Sequence, residues 1–88
     1  MTPAPPASPA RTAAAVAALL ADHGLTRIYV AACHVIAVIS ICAGLTAWTN
    51  GRQLWVTLGG RRETWPATDT HAAAARLAAM ARPAAPQT

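Results

Sequence analysis

Reactive side chains are scarce in this chain. Cys33 and His34 are adjacent, Cys42 follows in the same apolar run, His23 and His71 stand apart, and Asp22, Glu63 and Asp69 are the only acidic residues. A thiol nucleophile needs a base within hydrogen-bond reach. Neighbours on a strand point to opposite faces, and on a helix they diverge by about 100°, so His34 is not expected to activate Cys33. The histidines and cysteines show neither CxxC nor HxxxH spacing, and no metal site is expected from them. General acid–base chemistry requires a base tuned and held beside its substrate; Asp69 reads instead as a helix cap. Gly59-Gly60 is not a phosphate loop, because no Lys-Ser/Thr pair follows it. The expectation is a protein that is not an enzyme, with no catalytic residue, cofactor, metal or small-molecule substrate.

Other residues are better suited to binding. Trp48, Trp55 and Trp65 lie close together, with Arg52 and Arg62 among them. Trp and Arg dominate the energetics of protein interfaces, although buried tryptophans also serve as core anchors. These five residues are the candidate partner-binding set. If two tryptophans share a sheet face that the helices do not cover, that face calls for a protein partner or a second copy of the chain.

Composition limits the alternatives. The chain has 88 residues and a net charge of +4, and it has no Lys and no Phe. The arginines are dispersed from Arg11 to Arg82, with Arg61-Arg62 the one adjacent pair. Such a distribution supports solubility rather than a nucleic-acid track. Proline-rich ends, 1–9 and 83–88, read as disordered tails around a single small domain, 10–82. Cys33 and Cys42 have opposite parity on a strand, which argues against a bridge between them. The apolar run begins too late for a cleavable signal peptide, and free cysteines agree with a cytoplasmic location.

Positioning these residues falls to helices and strands that the pattern marks out. Ser8-Pro9 reads as an N-cap followed by proline at the first helical position, with Thr12 an alternative cap. Helix formers run to His23, Val16, Leu19 and Leu20 make an apolar stripe, and Gly24 is placed to end the helix. Ile28 to Trp48 then contains no formal charge. It is long enough for a transmembrane helix, with Tyr29 and Trp48 near its ends. Dense β-branching, His34 and Ser40 in its middle, and the hairpin beyond Gly44 favour strands instead.

Within the strand reading, Val35 to Ile41 is the first strand, extended or preceded by Tyr29 to Ala32. Leu45 to Thr49 and Arg52 to Leu58 are the next two. Asn50-Gly51 is the favoured two-residue hairpin loop, which sets Thr49 opposite Arg52 and the two tryptophans on a diagonal. One face collects Leu45, Ala47, Leu54, Val56 and Leu58; the other collects Thr46, Trp48, Gln53, Trp55 and Thr57. After Gly59-Gly60, Arg61 to Trp65 forms a charged edge strand stopped by Pro66. A two-residue loop would set Trp65 across from Leu54 and Glu63 across from Val56; a three-residue loop would pair Trp65 with Trp55. Thr68 and Asp69 offer a cap for a last helix from Thr70 to Ala81, with Ala73, Leu77 and Met80 on its apolar stripe.

From Val38 onward the chain resembles small actinobacterial proteins that share a GLTxWxxG hairpin and a TWPAxD segment leading into AAxxLA. The matching residues are Gly44, Leu45, Thr46, Trp48 and Gly51, then Thr64 to Ala67 and Asp69, then Ala74, Ala75, Leu77 and Ala78. The resemblance implies a small soluble domain and brings no activity with it. In its order of elements the chain is also similar to double-stranded RNA-binding domains. Where that family carries phosphate-gripping cations, Asp69, Thr70 and His71 stand here, so the likeness is one of topology.

The fold expected is α+β: an N-terminal helix, a three- to four-stranded antiparallel β-meander and a C-terminal helix, the alternative being one transmembrane helix over 28–48. The function expected is a small cytoplasmic interaction domain acting through its tryptophan face. A single-pass membrane protein and a weak nucleic-acid binder are the alternatives, the latter through Arg52, Arg61 and Arg62.

Overall fold

A computed structural model describes residues 8–42 and 44–81. The N-terminal helix, α1, spans Pro9–Asp22 and starts where the sequence predicts: the Ser8 hydroxyl accepts the Arg11 N–H at 3.1 Å, and proline follows the cap. Thr12, the alternative cap, is a buried residue inside the helix. At the far end Leu25 N–H donates to the Leu20 carbonyl and Gly24 N–H to that of Ala21. This double closure needs a residue in the left-handed region, which Gly24 supplies at φ 91°.

Five strands follow: β1 (Tyr29–Ala32), β2 (Ala37–Cys42), β3 (Leu45–Thr49), β4 (Gln53–Leu58) and β5 (Arg61–Pro66). They form one antiparallel meander in the order β1-β2-β3-β4-β5. The helix α2 (Thr70–Ala81) closes the chain. The α+β class is as expected, but the sheet has five strands rather than three or four. The additional strand comes from Tyr29 to Ala32, which folds back on β2 through His34-Val35, the Cys33 N–H donating to the Ile36 carbonyl at 2.9 Å. No Gly, Pro or Asn marks that turn, so the sequence does not signal it. The segment 28–48 therefore runs through three strands, and no helix among the described residues is long and apolar enough to cross a membrane.

Both helices lie on one face of the sheet. The core beneath them holds Ala37, Ile39 and Ile41 of β2, Leu45 and Ala47 of β3, and Leu54 and Val56 of β4, against Ala13, Val16 and Leu20 of α1 and Leu77 of α2. Alanines fill the other buried positions of α2, at Ala73, Ala74 and Ala78, and small side chains permit close packing of α2 on α1. A bulge in β2 sets Ser40 across from Thr46 but Cys42 across from Leu45. One extra residue is thereby accommodated, and both Ile41 and Leu45 reach the core.

The β3–β4 hairpin departs from the predicted loop. Its tip is Gly51-Arg52, and Thr49 faces Leu54 rather than Arg52. The cause is local hydrogen bonding. Asn50 Oδ1 accepts the N–H groups of Arg52 (2.9 Å) and Gln53 (2.8 Å), while Thr49 Oγ1 donates to the Gln53 carbonyl and accepts the Gly51 N–H. Side chains that bond their own backbone in this way redirect a turn. The shift changes partners by two residues, so the predicted sorting of faces survives. Leu58, at the end of β4, is the one member of that apolar set that is exposed.

The β4–β5 hairpin takes the two-residue alternative, with both glycines at positive φ, as a type I′ turn requires. Leu54 then faces Trp65 and Val56 faces Glu63. A carboxylate on the helix-covered side is tolerated because Arg76 of α2 meets it with two bonds, Nε to Oε1 at 2.9 Å and Nη2 to Oε2 at 3.1 Å. At the start of α2 the Asp69 carbonyl accepts the Ala73 N–H, the first rung of the helix's own ladder, and among the described hydrogen bonds neither Thr68 nor Asp69 makes the expected side-chain cap. The tails assigned to 1–9 and 83–88 fall outside the described residues except for Ser8 and Pro9, as do Arg82, Pro83 and Ala43 of the predicted stops and turn.

Two outcomes follow from this packing. Leu77→Ala, at a site with no exposure, should lower unfolding free energy by about 2–5 kcal/mol in urea denaturation. Glu63 has its pKa lowered, first by the hydrogen bond from Arg76. A depressed carboxylate pKa stabilises the fold above the unfolded value, about 4.3, and that contribution fades as pH falls through the folded value. Glu63→Gln should therefore flatten the acid limb of the stability–pH curve and leave its alkaline limb in place.

Candidate functional site

The opposite face of the sheet has no helix over it among the described residues. Residues that pair directly across antiparallel strands point to the same side, so the register lays out one row on this face: Ala31, Val38, Trp48, Trp55 and Thr64. Trp48 stands directly across from Trp55 rather than on the diagonal, a consequence of the shifted β3–β4 turn. Both rings are half-buried although no helix covers them. Cross-strand aromatic pairs shield each other in this way and contribute to sheet stability.

Arg62 belongs to the same surface. It lies one diagonal step from Trp55 on β5, and its Cζ sits 5.3 Å from the ring centroid. At that separation a guanidinium is attracted to the indole face. A guanidinium held over a ring by this attraction can still offer N–H donors to a partner. Trp48, Trp55 and Arg62 thus form one cluster.

The other two predicted residues lie apart from it. Trp65 is on the helix-covered side, half-buried against the core and across from Leu54. Its position makes it a core anchor. Arg52 lies in the β3–β4 turn at one end of the sheet, where its N–H donates to Asn50 and its carbonyl accepts the Ala67 N–H at 2.8 Å. The geometry uses its backbone to tie the turn to the end of β5.

Several residues of the face were not singled out from the sequence: Val38, Ala31 and Thr64 of the row, and Tyr29, which pairs with Ser40 on the same side. The alternation of Val38 and Ser40 with Ile39 and Ile41 is a signal for it, but both sets are apolar enough to hide the period. Two shallow hollows flank β1 on this sheet. Arg27, Tyr29, Ser40, Ile41 and Cys42 line one; Ala31, Ala32, Cys33, Ile36 and Val38 line the other.

Neither hollow brings together an acid and a base. Cys33 is exposed, and the backbone N–H groups of Val35, then Ile36, hold its thiol below the ordinary range. Among the described residues no group of three or more His, Cys, Asp or Glu side chains is placed to hold a metal ion. What the arrangement offers is a surface for contact: aromatic area, one stacked cation and flanking hydroxyls.

Comparison with known proteins adds no further constraint: no family model matches the chain, and searches of curated proteins and of solved structures return no match.

Proposed function

We propose that this chain is a small, non-enzymatic interaction domain, soluble and cytoplasmic, which binds a protein surface through its tryptophan face. The observation that carries this reading is the direct Trp48–Trp55 pair on the sheet face opposite both helices, with Arg62 stacked on it. Interface hot spots combine aromatic and Arg side chains in a partly preformed cluster. A sheet holds them with little conformational freedom, so less entropy is lost on association. The partner is a second protein or a second copy of the chain, and the resemblance to small actinobacterial proteins of no established activity is consistent with either.

The nucleic-acid alternative finds less support. Arg61 and Arg62 lie on β5 while Arg52 is in the β3–β4 turn, and Arg62 is engaged with Trp55. The start of α2 carries Asp69, Thr70 and His71 in place of the cations that the RNA-binding topology uses there. A protein interface makes fuller use of what is exposed.

Trp55→Ala should weaken binding to a cross-linked and purified protein partner, read by calorimetry, by about 2 kcal/mol or more. Its far-ultraviolet circular dichroism should stay that of the parent. Equal affinity in a folded variant would refute the reading.

A further inference from the structure

The two edges of the sheet are unlike. β5 carries Arg61, Arg62 and Glu63 and ends in Pro66, the charged and proline-bearing composition that keeps an edge from pairing further. β1, YVAA, carries no charge and no proline, and all of it is exposed. Among the described residues no strand pairs with its outer side. Tyr29 is 72% and Val30 41% exposed, large apolar surface for so short a strand.

The hydrogen-bond pattern sets how a further strand would join. Cys33 bonds across to Ile36, and in an antiparallel pair the bonding residues alternate. Ala31 and Tyr29 therefore bond inward to β2, while the N–H and C=O groups of Val30 and Ala32 point outward. A joining strand must bond to those two. On the uncovered face, the hollow of about 270 Å³ at Ala31, Ala32, Cys33, Ile36 and Val38 adjoins this edge. We infer that the chain pairs with a second copy of itself along β1, antiparallel about a twofold axis at Ala31, so that Val30 faces Ala32 of the other copy and each Tyr29 enters the hollow of its mate.

A second copy is the occupant because the edge is complementary to itself. The register that satisfies Val30 and Ala32 on both chains sets Tyr29 across from Cys33, so the exposed ring and the hollow meet twice, as an isologous interface requires. Ala31 meets Ala31 at the axis, where the close non-hydrogen-bonded spacing favours small side chains. The nearest cations, the two Arg27 side chains, fall at opposite ends, roughly 25 Å apart at about 3.3 Å per residue. The joined sheet keeps only β5 edges, and both tryptophan faces lie on one side of it. This inference goes beyond the tryptophan-face reading and does not rest on it.

The test is sedimentation of the full chain and its variants over the micromolar range and above. The parent should be a dimer in equilibrium with monomer. Ala31→Arg places two like charges across the axis and should weaken dimerisation about tenfold or more, and Tyr29→Ala should weaken it too, whereas Trp55→Ala should not. Register is read separately. With Cys33→Ser and Cys42→Ser in place, Ala31→Cys should form an intermolecular disulfide on air oxidation, since Cα atoms of such a pair approach to about 4.5 Å; Ser40→Cys in the same background should not. The disulfide readout stands even where Ala31→Arg impairs folding. A parent that stays monomeric, a dimer lost with Trp55→Ala but kept with Ala31→Arg, or a cross-link at Ser40→Cys and none at Ala31→Cys would overturn the inference.

Discussion

One-sided burial of the sheet is the constraint on which the structure depends. Every apolar residue that reaches the core from β2, β3 and β4 has the same parity along its strand, and both helices pack on that side. A slip of one residue in any hairpin would turn an entire strand inside out. The three turns that follow β2, β3 and β4 are accordingly determined by local chemistry. The Asn50 and Thr49 side chains close one, and paired glycines at positive φ close another. At the third, the bulge around Ile41 restores the phase, so that Ile41 and Leu45 both point inward. Thr49, the buried polar residue of this layer, both donates and accepts, so the cost of taking its hydroxyl out of water is offset.

With all the helical cover on one side, the other side takes what the chain has left. Trp48 and Trp55 shield one another and Arg62 covers part of the second ring, so the surface is stable without a cap and remains apolar at its centre. A small domain gains little from a thin core of alanines alone. Large aromatic rings on the second face supply packing that two alanine-rich helices do not. On the proposed reading, stability and recognition draw on the same residues.

Charge is placed with similar economy. Glu63 faces the helices, a side where a carboxylate would be out of place, and Arg76 reaches across from α2 to pair with it. The pair is about half exposed, with side-chain accessibilities of 51% for Arg76 and 39% for Glu63. It orients α2 on β5 more than it stabilises the fold, because exposed ion pairs are screened by water. The same strand carries the charges that guard one edge of the sheet, while β1 at the other edge has none.

Much of this was legible in the sequence because it is written in local terms. Ser8-Pro9 and Gly24 bound α1, the alanine-rich stripe with Leu77 marks α2, and alternation from Leu45 to Val56 sorts core from open face without knowledge of partners. Strand parity is a property of the chain alone. Register is not, since partners shifted by two satisfy the same pattern, and Asn50 and Thr49 chose between them through bonds that appear only in the folded turn. The same holds for Tyr29 to Ala32, which became a separate strand at a turn lacking the usual turn residues. Trp65 went to the core and Arg52 to the end of the sheet, leaving Trp48, Trp55 and Arg62 together. Local preference determined which residues are helical and which face each strand residue takes; long-range pairing, with the hydrogen bonds and ring contacts it makes available, decided which of them meet.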